Sequence, residues 1–176
     1  MKRITKVKEA AYLAISLHGM QNYDGYPYYY HLEQVVDVLD EFGFTDDKYK
    51  IAGYLHDVME DTAISYNDIK KQFGIEIAEI VYCVTDELGR NRKERKEKTY
   101  PKIASNPDAV IIKLADRIAN MRNSIEKKHS MSDAYVKEFD EFEMALYNED
   151  AEKSVVDMWA ELNNLIHILK CKPQSV

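Results

Sequence analysis

The feature that most constrains this chain is a helical repeat of apolar residues that runs almost from end to end. Ile4, Val7, Ala11, Leu13, Ala14 and Leu17 share one face of a helix over 3–18, with lysines opposite. Leu32, Val35, Val36, Val38 and Leu39 repeat the pattern over about 30–42, ended by Gly43. A third helix opens at Thr45, Asp47 and Lys48 and runs through Ile51, Ala52, Tyr54 and Leu55 to His56–Met59. Ser65 and Asp68 form a capping box for a short helix that stops at Gly74. Ile75, Ile77, Ile80, Val81 and Val84 carry the next helix over 75–86. "DELGRNRKERKEKTYPKIA" then reads as a loop leading into a strongly charged helix. Asn106-Pro107 is an N-cap with proline in the first turn, starting the helix that holds Val110 to Met121. Two further helices lie near 132–147 and 151–169, and 22–27 is a polar Gly/Pro/Asp loop. "DAVIIKLAD" also suits a buried strand by composition, but its neighbours extend the helical pattern. Six glycines and four prolines are too few for the closely spaced turns of an all-β fold. The expected fold class is all-α, roughly eight or nine helices in a single domain over 1–170, with 171–176 a disordered tail.

At this length one domain can bury a sizeable core. The net charge of −7 argues against general nucleic-acid binding, whose affinity depends on cations neutralising phosphates. It leaves room for a small anionic substrate at a locally basic or metal-bearing site. Cys83 and Cys171 are too few for a disulfide scaffold or a thiolate metal cage, which fits a reducing cytoplasm. No stretch approaches the roughly 18 apolar residues of a membrane span. The basic start "MKRITKVKEAAYLAI" reads as a first helix rather than a targeting segment. A cytoplasmic protein that is not a membrane protein is expected, and a homo-oligomer stays open.

The chemistry concentrates in "YLHDVMEDTA". His56 and Asp57 are followed one turn later by Glu60 and Asp61, on the same faces of a helix. Three carboxylates and an imidazole in six residues repel one another and resist desolvation unless a cation joins them. Imidazole with carboxylate suits first-row metals such as Mn, Fe, Co or Zn. Taken alone, a His-Asp pair at a helix end is equally satisfied by solvent. A second carboxylate raises the stakes: Asp116 sits inside the apolar run "VIIKLADRIANMR" and needs a partner. Arg117 points about 100° away around the helix and is a poor one. His31 is delivered by "GYPYYYHLEQVV", a Gly-x-Pro turn and three tyrosines ahead of an amphipathic helix.

Taken in order, His31, His56-Asp57 and Asp116 resemble the HD phosphohydrolase superfamily. "GYPYYYH", "LHDVMEDT", "VTDELGRNRKERK" and "KLADRIANMR" are similar to segments of the hydrolase domain of stringent-response (Rel/Spo) enzymes, and above all of stand-alone small alarmone hydrolases of the metazoan type. The likeness covers about residues 3–145 and leaves no room for a synthetase or regulatory domain. It implies a single helical HD domain. His31, His56, Asp57 and Asp116 would hold one divalent metal, Mn(II) in the family. The implied activity is removal of the 3′-pyrophosphate from guanosine tetra- or pentaphosphate.

Glu60 and Asp61 lie close enough to that metal to move or orient a proton and are the expected catalytic pair. Tyr28 and Asn120 match substrate-contacting residues of the family, while Tyr29 and Tyr30 have no such counterpart and are expected to pack. Lys113, Arg117 and Arg122 lie near Asp116 as donors for phosphoryl charge. Arg90–Lys98 adds six basic and two acidic residues, a locally basic stretch in an acidic chain. His18, His129 and His167 are expected to be structural or on the surface. One departure stands out. Asn22 and Tyr23 occupy the places of a family Arg-Lys pair that borders the nucleobase, so base recognition is expected to differ. That leaves adenine alarmones, NADPH or a deoxynucleotide as alternative substrates, and a non-catalytic nucleotide sensor as the alternative from another class.

Overall fold

The computed structural model of the protein describes residues 4–127 and 131–171. Helices make up nearly all of it: α1 (Lys6–His18), α2 (Tyr29–Glu41), α3 (Asp47–Leu55), α4 (Val58–Asp61), α5 (Tyr66–Phe73), α6 (Ile75–Val84), α7 (Arg92–Ala104), α8 (Pro107–Lys127), α9 (Met131–Leu146) and α10 (Lys153–Lys170). The all-α class is as expected. Thr5 caps α1 and the Ser65–Asp68 capping box opens α5. His129 and residues 172–176 of the expected tail lie outside the described residues, while Cys171 still caps α10 through its N–H to the His167 carbonyl. Among the described residues no helix is long and apolar enough to cross a membrane.

Two differences from the expected layout matter. The helix read as continuous to Met59 breaks at His56–Asp57, where Asp57 adopts φ −102 and ψ −6 between α3 and the single turn α4. Few residues occupy that bridge region, and active-site residues are prominent among them. The second difference is at 22–27, a two-stranded hairpin with Asn22 paired to Pro27 and Tyr23 to Tyr26. Its two-residue turn is Asp24-Gly25, with φ 50 and 91, the positive pair that a tight hairpin turn requires.

The core sits around α8, whose Ala109, Ile112, Leu114, Ala115, Ile118 and Met121 are fully shielded from solvent. Helices α2, α6, α7, α9 and α10 pack around it, with Trp159 and Phe142 in contact on its flank. A second cluster, centred on Leu32, Leu55, Val58 and Ile69, joins α1, α3, α4 and α5. The first turn of α2, the α3–α4 break and the middle of α8 meet between these clusters. Tyr29 stacks on Tyr54 and Tyr30 on Tyr26, so both do pack.

Candidate metal centre and active site

His31 stands in the first turn of α2, held by its N–H to the Tyr28 carbonyl. Its Nε2 lies 3.3 Å from Asp116 Oδ1 and 3.8 Å from Asp57 Oδ2. His56 Nε2 lies 2.8 Å from Asp57 Oδ2 and 3.9 Å from Asp116 Oδ1. One donor atom each from His31, His56 and Asp116 falls within 4.8 Å of the others, and all three residues are buried. Three separate elements therefore deliver four candidate ligands to one point.

The tautomer of His56 follows from its neighbour. Nδ1 lies 2.8 Å from the Gly53 carbonyl, which can only accept, so Nδ1 carries the proton. That leaves Nε2 turned toward Asp57 and Asp116, close to the former but without a hydrogen-bond partner. A buried imidazole nitrogen facing two carboxylates, with its other nitrogen held by a carbonyl, is the arrangement a divalent cation takes up. The electrostatics agree. Burial pushes the His56 ring down, but the charges of Asp57 and Asp116 outweigh it and raise it to about 9. Burial works against ionisation of Asp57 too, yet the imidazoles of His56 and His31 hold its carboxyl well below the usual range. Lys113, 2.8 Å from Asp116 Oδ2, overcomes burial to hold Asp116 low as well. Two ionised carboxylates, Asp116 buried and Asp57 half-buried, share this point, and without a cation only imidazoles and Lys113 balance them.

A family model described as an HD domain matches residues 10–149. The chain belongs to the HD-domain family. Its relatives include MESH1 of Drosophila melanogaster, a guanosine-3′,5′-bis(diphosphate) 3′-pyrophosphohydrolase, 38% identical over 99 residues and 55% of each chain. Mouse MESH1 is 34% identical over 120 residues, 65% of this chain and 67% of its own. SpoT of Escherichia coli, a bifunctional (p)ppGpp synthase/hydrolase, is 34% identical over 128 residues, 68% of this chain but 18% of its own. The chain thus spans about half the fly relative and under a fifth of the bacterial one. A solved structure of a metazoan ortholog of SpoT that hydrolyzes ppGpp superposes with TM-score 0.77 at 25% identity, covering 96% of this chain and 97% of that one. The helical architecture is therefore shared along nearly the whole length.

In this HD domain the candidate metal point opens into a polar cavity of about 160 Å³. Glu60, Lys113, Arg117, Asn120 and Tyr28 line it as the sequence predicts. Glu60 accepts the Asp86 N–H at 3.1 Å; burial, with the Asp86 carboxylate beside it, pushes its own carboxyl up. Tyr28 donates to Asp57 Oδ2 at 2.5 Å, so its hydroxyl engages a candidate ligand directly. Burial and the Asp57 charge push the phenol far up, and it stays a neutral donor. Arg117 is 3% exposed, its guanidinium 4.7 Å from the Tyr135 ring and 4.5 Å from the Phe142 ring.

Other predicted residues are placed differently. Asp61 turns to Gln21, which donates to it at 2.8 Å, and does not line the cavity. Asn22 spends its side-chain oxygen on the Gly25 N–H at 2.8 Å, inside the hairpin. Arg122 faces away and forks between Glu41 and Glu161. His18 is buried and structural, stacked 4.4 Å from Tyr28, and His167 is on the surface. Five lining residues escaped individual assignment from sequence: Asp86, Arg92, Arg95, Lys96 and Tyr135. Of the six basic residues in 90–98, Arg92, Arg95 and Lys96 face inward, while Arg90 and Lys98 pair with half-buried Glu94 and Lys93 with exposed Glu97. The signal was the spacing, because 92, 95, 96 and 99 form one helical face that also carries buried Thr99. Lys96 donates to both oxygens of Asp86 at 2.8 Å, a buried pair at the cavity wall.

Proposed function

We propose that this HD domain is a divalent-metal pyrophosphohydrolase that removes the 3′-pyrophosphate from guanosine tetra- or pentaphosphate-type nucleotides, with Mn(II) as its cation. The observation that carries the reading is the juxtaposition of a His/Asp cluster (His31, His56 and Asp116, with Asp57 beside both histidines) and an inward row of cations on α7 lining the adjoining cavity. The named activities of the fly and mouse relatives support it. His31, His56, Asp57 and Asp116 would hold the cation. When bound, it supplies Lewis-acid polarisation of a phosphoryl oxygen and acidifies water.

The chain's own residues supply the rest. Hydrolysis adds water across the bond between the ribose 3′ oxygen and phosphorus: the water oxygen joins phosphorus and the 3′ oxygen leaves with a proton. Glu60 lines the cavity with a raised carboxyl pKa, and it accepts the proton that the attacking water gives up. Asp61, one residue on, is tied to Gln21 outside the cavity lining, so the proton transfer rests on Glu60. Arg92, Arg95 and Lys96 receive the diphosphate charge, with Arg117 held rigid by its two aromatic neighbours. Tyr28 and Asn120 hold Asp57 and Asp116 in place and line the side of the cavity that the substrate would meet. A cytoplasmic location fits the two free cysteines, Cys83 and Cys171.

The test is turnover of guanosine and adenosine tetraphosphate alarmones and NADPH with added Mn(II), scoring pyrophosphate against orthophosphate. Pyrophosphate from the guanosine alarmone is expected. Orthophosphate from NADPH alone would replace the reading with a nucleotide phosphatase, and absence of turnover with retained metal would make the domain a binding module.

A further inference from the structure

The hairpin of β1 (Asn22–Tyr23) and β2 (Tyr26–Pro27) is fastened to one stripe of α8. Asp116, Asn120, Asn123 and Lys127 follow at spacings of four, three and four, so they share a face of the helix. Tyr23 donates its hydroxyl to Asn120 Oδ1 at 2.9 Å. Asn123 donates to Asp24 Oδ2 at 2.5 Å, and Lys127 donates to the Asp24 carbonyl at 3.2 Å. Lys127 also lies 4.1 Å over the Tyr26 ring. These contacts fasten the turn and the second strand to α8, beside the strand that carries Tyr23.

Asn120 has no freedom left in its nitrogen. Its Nδ2 donates to the Asp116 carbonyl at 3.1 Å and to Asp116 Oδ1 at 2.5 Å, using both amide hydrogens. Asp116 Oδ1 is the oxygen that faces His31 and His56. If the amide turned over, its oxygen would face the carboxylate and repel it. The Tyr23 hydroxyl, donating to Asn120 Oδ1, favours the orientation that sends the hydrogens to Asp116. The Tyr23 ring meanwhile stacks on His31, with centroids 4.7 Å apart and planes 28° apart. One hairpin side chain thus touches one candidate ligand through its ring and reaches another through a single amide.

We infer that Tyr23 is a positioning residue of the metal centre, orienting Asp116 through Asn120 and His31 by stacking, rather than a contact for the nucleobase. This rests on the reading of His31 and Asp116 as metal ligands. It also explains how a phenol can stand where a cation was expected: in this chain the position serves the metal side of the cavity.

The experiment is Mn(II) titration by calorimetry on the full chain and three variants, with nucleotide kinetics alongside. Tyr23→Phe keeps the ring and its stacking and removes only the hydroxyl. It is expected to weaken Mn(II) binding roughly 3- to 10-fold, less than the roughly 10- to 100-fold typical of a group bonded directly to a ligand. Asn120→Ala should show that larger loss. The Tyr23→Phe/Asn120→Ala double variant should bind no more weakly than Asn120→Ala alone, because the hydroxyl then has nothing to act through. Asn120→Leu, which preserves volume, replaces the alanine background if that variant does not fold. The nucleotide KM at saturating Mn(II) should stay at the wild-type value in Tyr23→Phe. Wild-type Mn(II) affinity in Tyr23→Phe, full additivity in the double variant, or a raised KM with unchanged metal affinity would each overturn the inference. A wild-type chain that binds no Mn(II) overturns the metal-site reading itself, a result separate from a silent Tyr23→Phe in a chain that does bind it.

Discussion

Glu60 and Lys96 both line the cavity and both bond to Asp86, and each can be tested by changing one functional group. Glu60→Gln keeps the shape and the acceptor for the Asp86 N–H but cannot take a proton. Metal and nucleotide binding should persist while turnover falls by about 10²- to 10⁴-fold, the usual worth of a positioned acid or base. Single-turnover rates near wild type would remove Glu60 from the chemistry. Lys96 is a different case, because it is 7% exposed and bound to Asp86 through both carboxylate oxygens. Lys96→Met leaves a carboxylate buried without its cation and should cost about 3–5 kcal/mol of stability. Adding Asp86→Asn should recover part of that loss, which denaturant unfolding of the single and double variants will show. The contrast between these residues bears on what a sequence reveals. Glu60, His56, Asp57 and Asp116 announce themselves as charge set into apolar helices, where burial demands a partner. Lys96 lies among charges of both signs, and nothing local separates an inward lysine from Lys93 or Lys98, which face solvent.

Elements follow the same division between local and tertiary causes. Capping boxes, Asn-Pro starts and apolar stripes are written within a few residues, so α1, α5, α6 and α8 are legible from spacing. The hairpin around Asp24-Gly25 reads from sequence only as a polar loop, because strands of two residues carry no periodicity to flank its turn. The break at His56–Asp57 has no local signal, since Leu55 to Met59 continue a helical pattern. Its origin is tertiary: Asp57 must reach His31 and Tyr28 from α2 while His56 turns Nδ1 back to Gly53. Gly53 is the pivot. A methyl group there would lie 3.0 Å from Leu39 Cδ1 and 3.1 Å from Val36 Cγ2, where α3 crosses α2. Leu39 is fully buried and Val36 is β-branched, so neither yields readily. The crowding, about 1–3 kcal/mol, should outweigh the gain of roughly 0.5–1 kcal/mol from replacing glycine in a helix. Gly53→Ala is therefore expected to lower stability and, by shifting the carbonyl that orients His56, to weaken Mn(II) binding more than a remote alanine substitution of equal destabilisation.

At the scale of the molecule, the candidate ligands tie together elements that belong to different parts of the core. His31 starts α2, His56 and Asp57 join α3 to α4, and Asp116 lies at the centre of α8. Leu32 beside His31 and Leu55 beside His56 belong to the smaller cluster, whereas Ala115 beside Asp116 belongs to the larger one. A cation bound at this point bridges both clusters, and unfolding must release it. With free Mn(II) at a hundredfold excess over its dissociation constant, linkage adds about 2.7 kcal/mol to the folded state. For a chain of this size, at roughly 2–4 °C per kcal/mol, the melting temperature should rise by about 5–10 °C. The comparison is thermal unfolding of the same preparation with Mn(II) and with a chelator. His56→Ala provides the control: having lost the Nε2 donor, it should melt at the same temperature in both conditions and carry no metal after purification. An equal Mn(II) shift in His56→Ala would place the stabilising cation elsewhere on this acidic surface. A shift confined to chains with His56 intact would tie the cohesion of the two clusters to the site where the chemistry is proposed to occur.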